Sequence, residues 1–301
     1  MDGYLLIDKA SGFTSFDVIA KLRGILKMKK LGHTGTLDPN ATGLLVVLCG
    51  SGTKAVPLLE HHTKTYEAEL LLGRATDTGD IWGEVTEEKT LPSNLSEKEV
   101  EEIILSFLGE QMQTPPMYSA KKMNGQKLYD LARQGKTVER KPVSIHISEL
   151  VITKMDLPRV EFTVTCSAGT YIRTLCTDIG EKLGLPACMS ALRRTRVGAF
   201  RIEDALTLEK IQELRELDHL DEAICPIDQL FTEYAALKTT EKSDRFLQNG
   251  ACIEEGEYLR LDSLGDTEKY RMYFSNGSFA GLYHRVSGKG LIPFKMMLTN
   301  Q

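Results

Sequence analysis

"LGHTGTLDPNATG", residues 31–43, is a glycine- and threonine-rich stretch that carries a single acidic side chain, Asp38. The apolar run "LLVVLC" at 44–49 follows at once and predicts a buried β-strand directly behind it. Asp38-Pro39 is typical of an ordinary turn, because Asp bonds to nearby backbone and Pro fixes the next φ. The glycines, the neighbouring His33 and the strand together favour a loop that presents a reactive carboxylate, either a nucleophile or a base.

Strand-like and helix-like patterns mix irregularly on both sides of this loop. "GYLLID" (3–8) and "KTYEAELLLG" (64–73) predict strands, whereas "FDVIAKLRGILK" (16–27) and "YIRTLCTDIGEKLG" (171–184) predict helices. No regular alternation of one strand with one helix is present. The pattern therefore predicts an α+β fold and not a doubly wound parallel sheet.

The pattern of predicted secondary structure changes near residue 228. Short strand-like pieces follow, with turn signals at Asn276-Gly277 and Ser287-Gly288. We therefore expect two domains, a larger one over residues 1–228 and a small β-rich one over residues 229–301.

Composition limits the classes of protein that the chain can belong to. Its apolar runs are too short to span a bilayer, and the beginning of the chain lacks the pattern of a signal peptide. The six cysteines are scattered without a CxxC pair or metal-ligand spacing, so we expect reduced cysteines and no structural metal. These features predict a soluble, cytoplasmic protein, and the lack of heptads favours a monomer.

The charge pattern points towards an anionic partner although the net charge is −5. Residues 21–30 hold five bases and no acid, residues 120–141 hold seven bases and two acids, and residues 190–201 hold four bases and no acid. A charge run is often only a solvated surface. Three separate basic segments nevertheless suit a protein with one basic face.

Two familiar site patterns are not supported. The nearest match to a phosphate-binding P-loop, "GSGTK" at 50–54, lacks the required Gly-Lys, so a nucleotide cofactor has no support. "DTG" at 77–79 resembles half of an aspartic protease site, but no second copy follows. A polar loop rich in turn residues explains that stretch.

Six stretches resemble, in order, the TruB family of tRNA pseudouridine synthases, over roughly residues 3 to 228. They are "DKASGFTSFDVI", "GHTGTLDPNATGLL", "KTYEAELLLGRATDTGD", "QTPPMYSAKKMNGQKLYDLARQG", "CSAGTYIRTLCTDIGEKLG" and "ALRRTRVGAF". The chain departs from the family's usual pattern at Ala10, where Pro is usual, and at Asn40, where an apolar residue is common. The resemblance implies a pseudouridine-synthase fold, with a central mixed, largely antiparallel sheet flanked by helices and loops, and a PUA-like C-terminal domain.

The resemblance also implies the reaction. Members of the family convert uridine-55 in the T loop of tRNA to pseudouridine, without a cofactor or a metal. Asp38 would be the nucleophile, attacking ribose C1′ or base C6. Arg173 would pair with it, and Tyr66 would stack on the target base and move a proton.

Further residues are assigned by the same resemblance to substrate binding. Tyr171 and Leu192 would line the uridine pocket, His33 would help to extrude the target nucleotide, and Lys9 would support the site or a phosphate. The basic insertion at about 116–142 would clamp the T arm of the tRNA.

Two other functions stay open at this stage. One is a protein that binds and folds tRNA, a role that could coexist with catalysis. The other is a hydrolase that uses Asp38 and Asp77 as a carboxylate pair, which would release free uracil or a cleaved strand.

Overall fold

A computed structural model describes residues 1–119, 121–123 and 125–298. The strands are β1 (Gly3–Lys9), β2 (Leu31–His33), β3 (Thr42–Cys49), β4 (Lys64–Leu72), β5 (Arg74–Thr76), β6 (Val85–Glu88), β7 (Gly109–Gln113), β8 (Lys122–Met123), β9 (Gln126–Lys127), β10 (Val143–Asp156), β11 (Arg159–Cys166), β12 (Ala187–Val197), β13 (Phe200–Arg201), β14 (Ala235–Thr239), β15 (Tyr258–Arg260), β16 (Tyr270–Tyr273), β17 (Phe279–Val286) and β18 (Gly290–Met296). The α-helices are α1 (Ser15–Leu26), α2 (Val56–Leu59), α3 (Glu97–Leu105), α4 (Leu128–Arg133), α5 (Ile172–Leu183), α6 (Leu208–Glu216) and α7 (Asp244–Gln248).

The central sheet has the order β1-β3-β12-β4-β11-β10-β7, with β2 added to β3 and β13 added to β12. Its pairs are antiparallel except for β3 with β12, which is parallel. This mixed, largely antiparallel sheet flanked by helices confirms the predicted α+β pseudouridine-synthase fold. Strand β12 was not predicted, because its basic sequence carries only a weak strand signal.

The position of β3 in the sheet explains why residues 44–49 are apolar without alternation. Leu44, Val46 and Leu48 face one hydrophobic core, whereas Leu45 and Val47 face another. Helices α1 and α6 cover the second of these faces. A strand buried on both faces has no solvent side to make polar, so its side chains are apolar throughout. The loop in front of it is therefore anchored to the centre of the molecule.

A third core lies between the other half of the sheet and the helices α3 and α5. Val100 and Ile104 of α3 and Leu175 and Ile179 of α5 are buried there against strands β4, β10 and β11. Helix α5 ends at Gly184, which adopts φ +69 in the left-handed region that glycine favours. The predicted end of this helix is confirmed.

The C-terminal region forms a second sheet in the order β15-β14-β16-β17-β18. This arrangement confirms that the region is rich in β-structure. Its Ala236, Phe279 and Leu282 share one hydrophobic core with Leu6 and Val46 of the central sheet. The two sheets are therefore packed together, and the division of the chain at residue 228 stays a prediction.

None of the helices in the described part of the chain is long and apolar enough to cross a membrane.

Candidate active site

The loop between β2 and β3 contains Asp38. The backbone carbonyl of Asp38 accepts a hydrogen bond from the N–H of Ala41 (3.1 Å), which closes the turn. One residue earlier, the Leu37 N–H donates to Ser15 Oγ (2.9 Å), and that hydroxyl is in turn 3.3 Å from the Leu37 carbonyl. The start of α1 thus fixes the loop, and the Asp38 side chain stays 38% exposed.

Lys9 supports this loop from behind. Its fully buried ammonium donates to the carbonyl oxygens of Ala10 (3.0 Å), Phe13 (2.7 Å) and Pro39 (3.0 Å). Burial lowers the pKa of Lys9 to about 8, although the Asp38 carboxylate opposes this shift. Lys9 does not line the cavities at Asp38. Its position fits support of the loop better than contact with a phosphate.

Arg173 meets the Asp38 carboxylate at two points. Its Nε lies 2.8 Å from Asp38 Oδ2, and its Nη2 lies 3.3 Å from Asp38 Oδ1. The guanidinium also donates to the carbonyls of Thr78 (2.8 Å) and Tyr118 (2.7 Å), and the residue is only 4% exposed. A fork held by two backbone carbonyls has one orientation, so it also fixes the orientation of the carboxylate.

A side chain from strand β7 places Arg173. The Tyr171 N–H donates to Gln113 Oε1 (2.8 Å), and Gln113 Nε2 donates to the Tyr171 carbonyl (3.0 Å). Tyr171 is the N-cap residue of α5, and Arg173 lies in the first turn of that helix. Gln113 is buried. This pair of hydrogen bonds fixes where α5 begins and hence where Arg173 points.

Asp80 is a second carboxylate near Arg173 that sequence reasoning missed. Its Oδ2 lies 3.8 Å from Arg173 Nε, and it lies in the same cavity as Asp38. The hydrolase hypothesis pairs Asp38 with Asp77. Asp77 instead accepts hydrogen bonds from the Glu84 N–H (2.8 Å) and the Tyr118 hydroxyl (3.4 Å), and it does not line the cavities that contain Asp38. The Asp38–Asp77 pair of the hydrolase hypothesis is therefore not supported.

Arg194 is a buried cation that sequence reasoning also missed. It is only 1% exposed, and it donates to the carbonyls of Leu44 (2.8 Å) and Gly35 (3.2 Å). On β12 it is the cross-strand neighbour of Tyr66 on β4. The only sequence signal for a functional arginine here was the presence of three arginines in "ALRRTRV", a stretch that resembles the family. Local sequence does not show which of the three is buried.

Tyr66 and His33 are both in uncharged forms near neutral pH. Burial raises the pKa of the Tyr66 hydroxyl, against the opposing effect of the Arg194 guanidinium. Burial, followed by the repulsion from Arg194, lowers the pKa of His33. Tyr66 can therefore donate a proton or a hydrogen bond, and His33 presents a neutral ring.

A cavity of about 350 Å³ collects most of the predicted residues. Its lining includes six of the seven residues that the sequence analysis selected, namely His33, Asp38, Tyr66, Tyr171, Arg173 and Leu192. Lys64 joins them, with a pKa lowered to about 8 by burial and by Arg194. A carboxylate at the wall of a partly apolar cavity of this size suits attack on one bound nucleoside.

A second cavity of about 710 Å³ adjoins the first. Asp38 and Arg173 line both, as do His33 and Ser119. Across residues 1–119, 121–123 and 125–298, no group of three or more His, Cys, Asp or Glu side chains could hold a metal ion.

Comparisons with known proteins place the chain in a family. Residues 23–172 match the model of the TruB family pseudouridylate synthase (N terminal domain), and residues 173–232 match the tRNA pseudouridylate synthase B C-terminal domain. Among curated relatives, a tRNA pseudouridine synthase B of Clostridium acetobutylicum is 43% identical over 99% of this chain and 100% of its own length. One of the same name from Geobacter sulfurreducens is 46% identical over 86% of this chain and 85% of its own.

Solved structures share the fold. A chain described as "Crystal Structure of a Cbf5-Nop10-Gar1 Complex" has a TM-score of 0.73 at 24% identity, covering 98% of this chain and 85% of its own. Another, described as "Structure of H/ACA RNP bound to a substrate RNA containing 2'-deoxyuridine", has a TM-score of 0.73 at 22% identity, covering 99% and 85%. With two family models matched in succession and relatives above 40% identity over nearly the whole chain, this chain belongs to the TruB family of pseudouridylate synthases.

Proposed function

We propose that this protein isomerises uridine-55 in the T loop of tRNA to pseudouridine, with Asp38 as the nucleophile. The observation that carries the proposal is the two-point pairing of Asp38 with a buried, fully oriented Arg173 at the wall of a nucleoside-sized cavity. The names of the curated relatives, tRNA pseudouridine synthase B, supply the substrate class and the reaction.

The chemistry requires the base to be detached, turned and rejoined. The Asp38 carboxylate forms a covalent bond to ribose C1′ or to base C6, which divides one difficult step into two. In either case the N1–C1′ bond breaks and N1 takes up a proton, a C5–C1′ bond forms, the bond to Asp38 breaks again to restore the carboxylate, and the hydrogen on C5 leaves as a proton. Arg173 supports this step, because its planar fork holds the attacking carboxylate in one direction.

The other cavity residues hold the base. Tyr66 is buried beside Asp38 and remains a neutral phenol, so its ring can stack on uracil while its hydroxyl donates a hydrogen bond. Tyr171 and Leu192 complete the wall of the same cavity. Lys9 takes no part in the chemistry and keeps the loop of Asp38 in place.

The target uridine must leave the T loop to reach Asp38, because C1′ and C5 are not accessible within stacked bases. His33 lines both cavities and can occupy the space that the extruded nucleotide leaves. The basic insertion at about 116–142 contributes Tyr118, Tyr129 and Arg133 to the second cavity, as expected for a clamp on the T arm. The protein acts on tRNA as a monomer in the cytoplasm.

Tritium at C5 of the uridines in a tRNA transcript tests the proposal. Wild-type protein should release the label to water, because C5 becomes the attachment point to ribose, and Asp38→Asn should release none. Lack of release by the wild type would refute the reaction, and release by both proteins would remove Asp38 from its role. Restriction of release to a transcript with uridine at position 55 tests the site.

The role in tRNA folding predicts a different result for the same variant. If folding is the essential task, Asp38→Asn should restore growth to a strain that lacks the gene. Loss of both label release and growth in this variant would tie the cellular role to catalysis.

A further inference from the structure

The second cavity has a larger volume than the cavity proposed to hold the uridine. It measures about 710 Å³, against about 350 Å³ for the cavity that contains Tyr66. Its lining includes the aromatic residues Phe16, Tyr118 and Tyr129, none of which lines the first cavity. The two cavities meet at Asp38, so a chain of nucleotides that enters one can continue into the other.

Phe16 is an exposed aromatic residue in the lining of the second cavity. It lies in the first turn of α1, next to Ser15, which clamps the loop of Asp38. The buried face of the helix is made by other residues, including Val18 and Leu22, and Phe16 is 64% exposed. The helix therefore does not need this ring for its own packing.

One side of the Phe16 ring already faces a cation. The guanidinium carbon of Arg23, two turns further along α1, lies 5.7 Å from the ring centroid. Elsewhere in the lining of the same cavity, the guanidinium carbon of Arg133 lies 5.5 Å from the ring centroid of Tyr129. The second cavity thus combines the exposed ring of Phe16 and the partly exposed rings of Tyr118 and Tyr129 with the guanidinium group of Arg133, while Arg23 lies against Phe16 outside the lining. Aromatic rings beside guanidinium groups bind unstacked bases of single-stranded nucleic acid.

We propose that the second cavity binds the base of a nucleotide next to the target uridine, stacked on Phe16. This inference rests on the proposed function. Extrusion of one nucleotide from a stacked loop exposes the faces of its neighbours, and an aromatic ring recovers the lost stacking without selecting one base. Arg23 and Arg133 are placed to neutralise the adjoining phosphates.

Stacking on Phe16 contributes to binding and not to the chemical step. Phe16 therefore acts as a binding residue for the RNA, separate from Asp38, Arg173 and Tyr66. Loss of the ring should weaken RNA binding while the bound uridine still reacts. Another flat aromatic ring should restore binding, whereas an aliphatic side chain of similar size should not.

Steady-state tritium release from the tRNA transcript separates these effects. For Phe16→Ala we expect KM to rise about tenfold with kcat within about twofold of the wild type, as the loss of one base–aromatic stack predicts. Phe16→Trp should restore KM and Phe16→Leu should not. Phe294→Ala, which removes an exposed ring from the second sheet, is the matched control and should behave as the wild type does.

A fluorescent base shows whether the stack forms. In an Asp38→Asn background, a T-arm hairpin carries 2-aminopurine directly 5′ or directly 3′ of the target uridine. Binding should quench the fluorescence at one of the two positions, and Phe16→Ala in the same background should remove that quenching. Quenching at neither position, quenching that survives Phe16→Ala, or full rescue of KM by Phe16→Leu would overturn the proposal. Absence of label release from the wild type would instead refute the proposed function.

Discussion

At the scale of single residues, the orientation of Asp38 depends on Arg173. Three hydrogen bonds from one guanidinium reach Asp38, Thr78 and Tyr118, and an ion pair from Nε reaches the second carboxylate oxygen of Asp38, so the carboxylate is held to one direction. A lysine keeps the positive charge but has no planar fork, and it cannot reproduce this geometry.

Arg173→Lys should therefore lower kcat by about a hundredfold, because displacement of a reactive group by about 1 Å has an effect of this order. Single-turnover tritium release with saturating enzyme measures the chemical step apart from tRNA binding. The control is Arg74→Lys, which alters an exposed ion pair with Glu88 and should leave the rate unchanged. A rate within about threefold of the wild type for Arg173→Lys would show that charge alone suffices.

Lys9 gives a prediction about stability. Its ammonium bonds to three backbone carbonyls, so Lys9→Met should lower the free energy of unfolding by about 1–3 kcal/mol through the loss of these buried hydrogen bonds. Denaturant unfolding near neutral pH measures this change. The exposed Lys29→Met is the control and should have little effect.

The pH dependence of that difference follows from the lowered pKa of Lys9. The pKa is about 8 in the folded protein and 10.5 as the ordinary value, so between these values the unfolded chain binds more protons at Lys9. The contribution of Lys9 to the free energy of unfolding therefore rises with pH in this window. Wild type should gain stability relative to Lys9→Met from about pH 8 to about pH 10. The pKa of Lys64 is also about 8, but Lys64 is present in both proteins and cancels in the difference.

At the scale of secondary structure, the start of helix α5 is set by strand β7. Gln113 uses both ends of its amide on the backbone of Tyr171, two residues before Arg173.

Gln113→Ala should lower kcat by about tenfold or more, because Arg173 would lose its fixed position. It should also lower stability by about 1–3 kcal/mol, since the partly buried N–H of Tyr171 loses its acceptor, whereas the Tyr171 carbonyl keeps the N–H of Leu175. The comparison variant is Gln111→Ala, a partly exposed glutamine on the same strand. Equal activity of the two variants would show that β7 does not position the site.

At the scale of the whole molecule, the two sheets share one core. Phe279 of β17 and Tyr273 of β16 are buried together with Leu6 and Val46 of the central sheet. The structure therefore predicts that the C-terminal region stabilises the catalytic region, although it supplies no residue to the two cavities at Asp38.

Phe279→Ala tests this coupling, since it should remove about 3–5 kcal/mol of stability from the shared core. Trp82 is the single tryptophan of the chain and lies between β5 and β6, outside the second sheet. The unfolding midpoint reported by Trp82 fluorescence should fall together with that reported by circular dichroism. An unchanged Trp82 midpoint would show two independent domains that meet without stabilising each other.

Local signals in the sequence were sufficient for many of the elements. Helix α1 begins at a capping box formed by Thr14 and Asp17, and helix α5 ends at Gly184. The apolar run of β3 predicted a buried strand, and this burial is confirmed. Each of these features depends on residues within one or two turns of each other, which is why the chain by itself determined them.

Contacts between distant parts of the chain were decided only by the tertiary structure. Strand β12 is central in the sheet, but its arginines concealed it, because Arg194 turns inward to the carbonyls of Gly35 and Leu44 while Arg193 pairs with Asp8. The choice of Asp80 over Asp77 beside Arg173 likewise depends on how the loop after β5 folds. Residue types and a family resemblance selected Asp38, Tyr66 and Arg173. Their meeting in one cavity required pairing across more than a hundred residues, because the burial and hydrogen bonding of a charged group depend on what the fold brings against it.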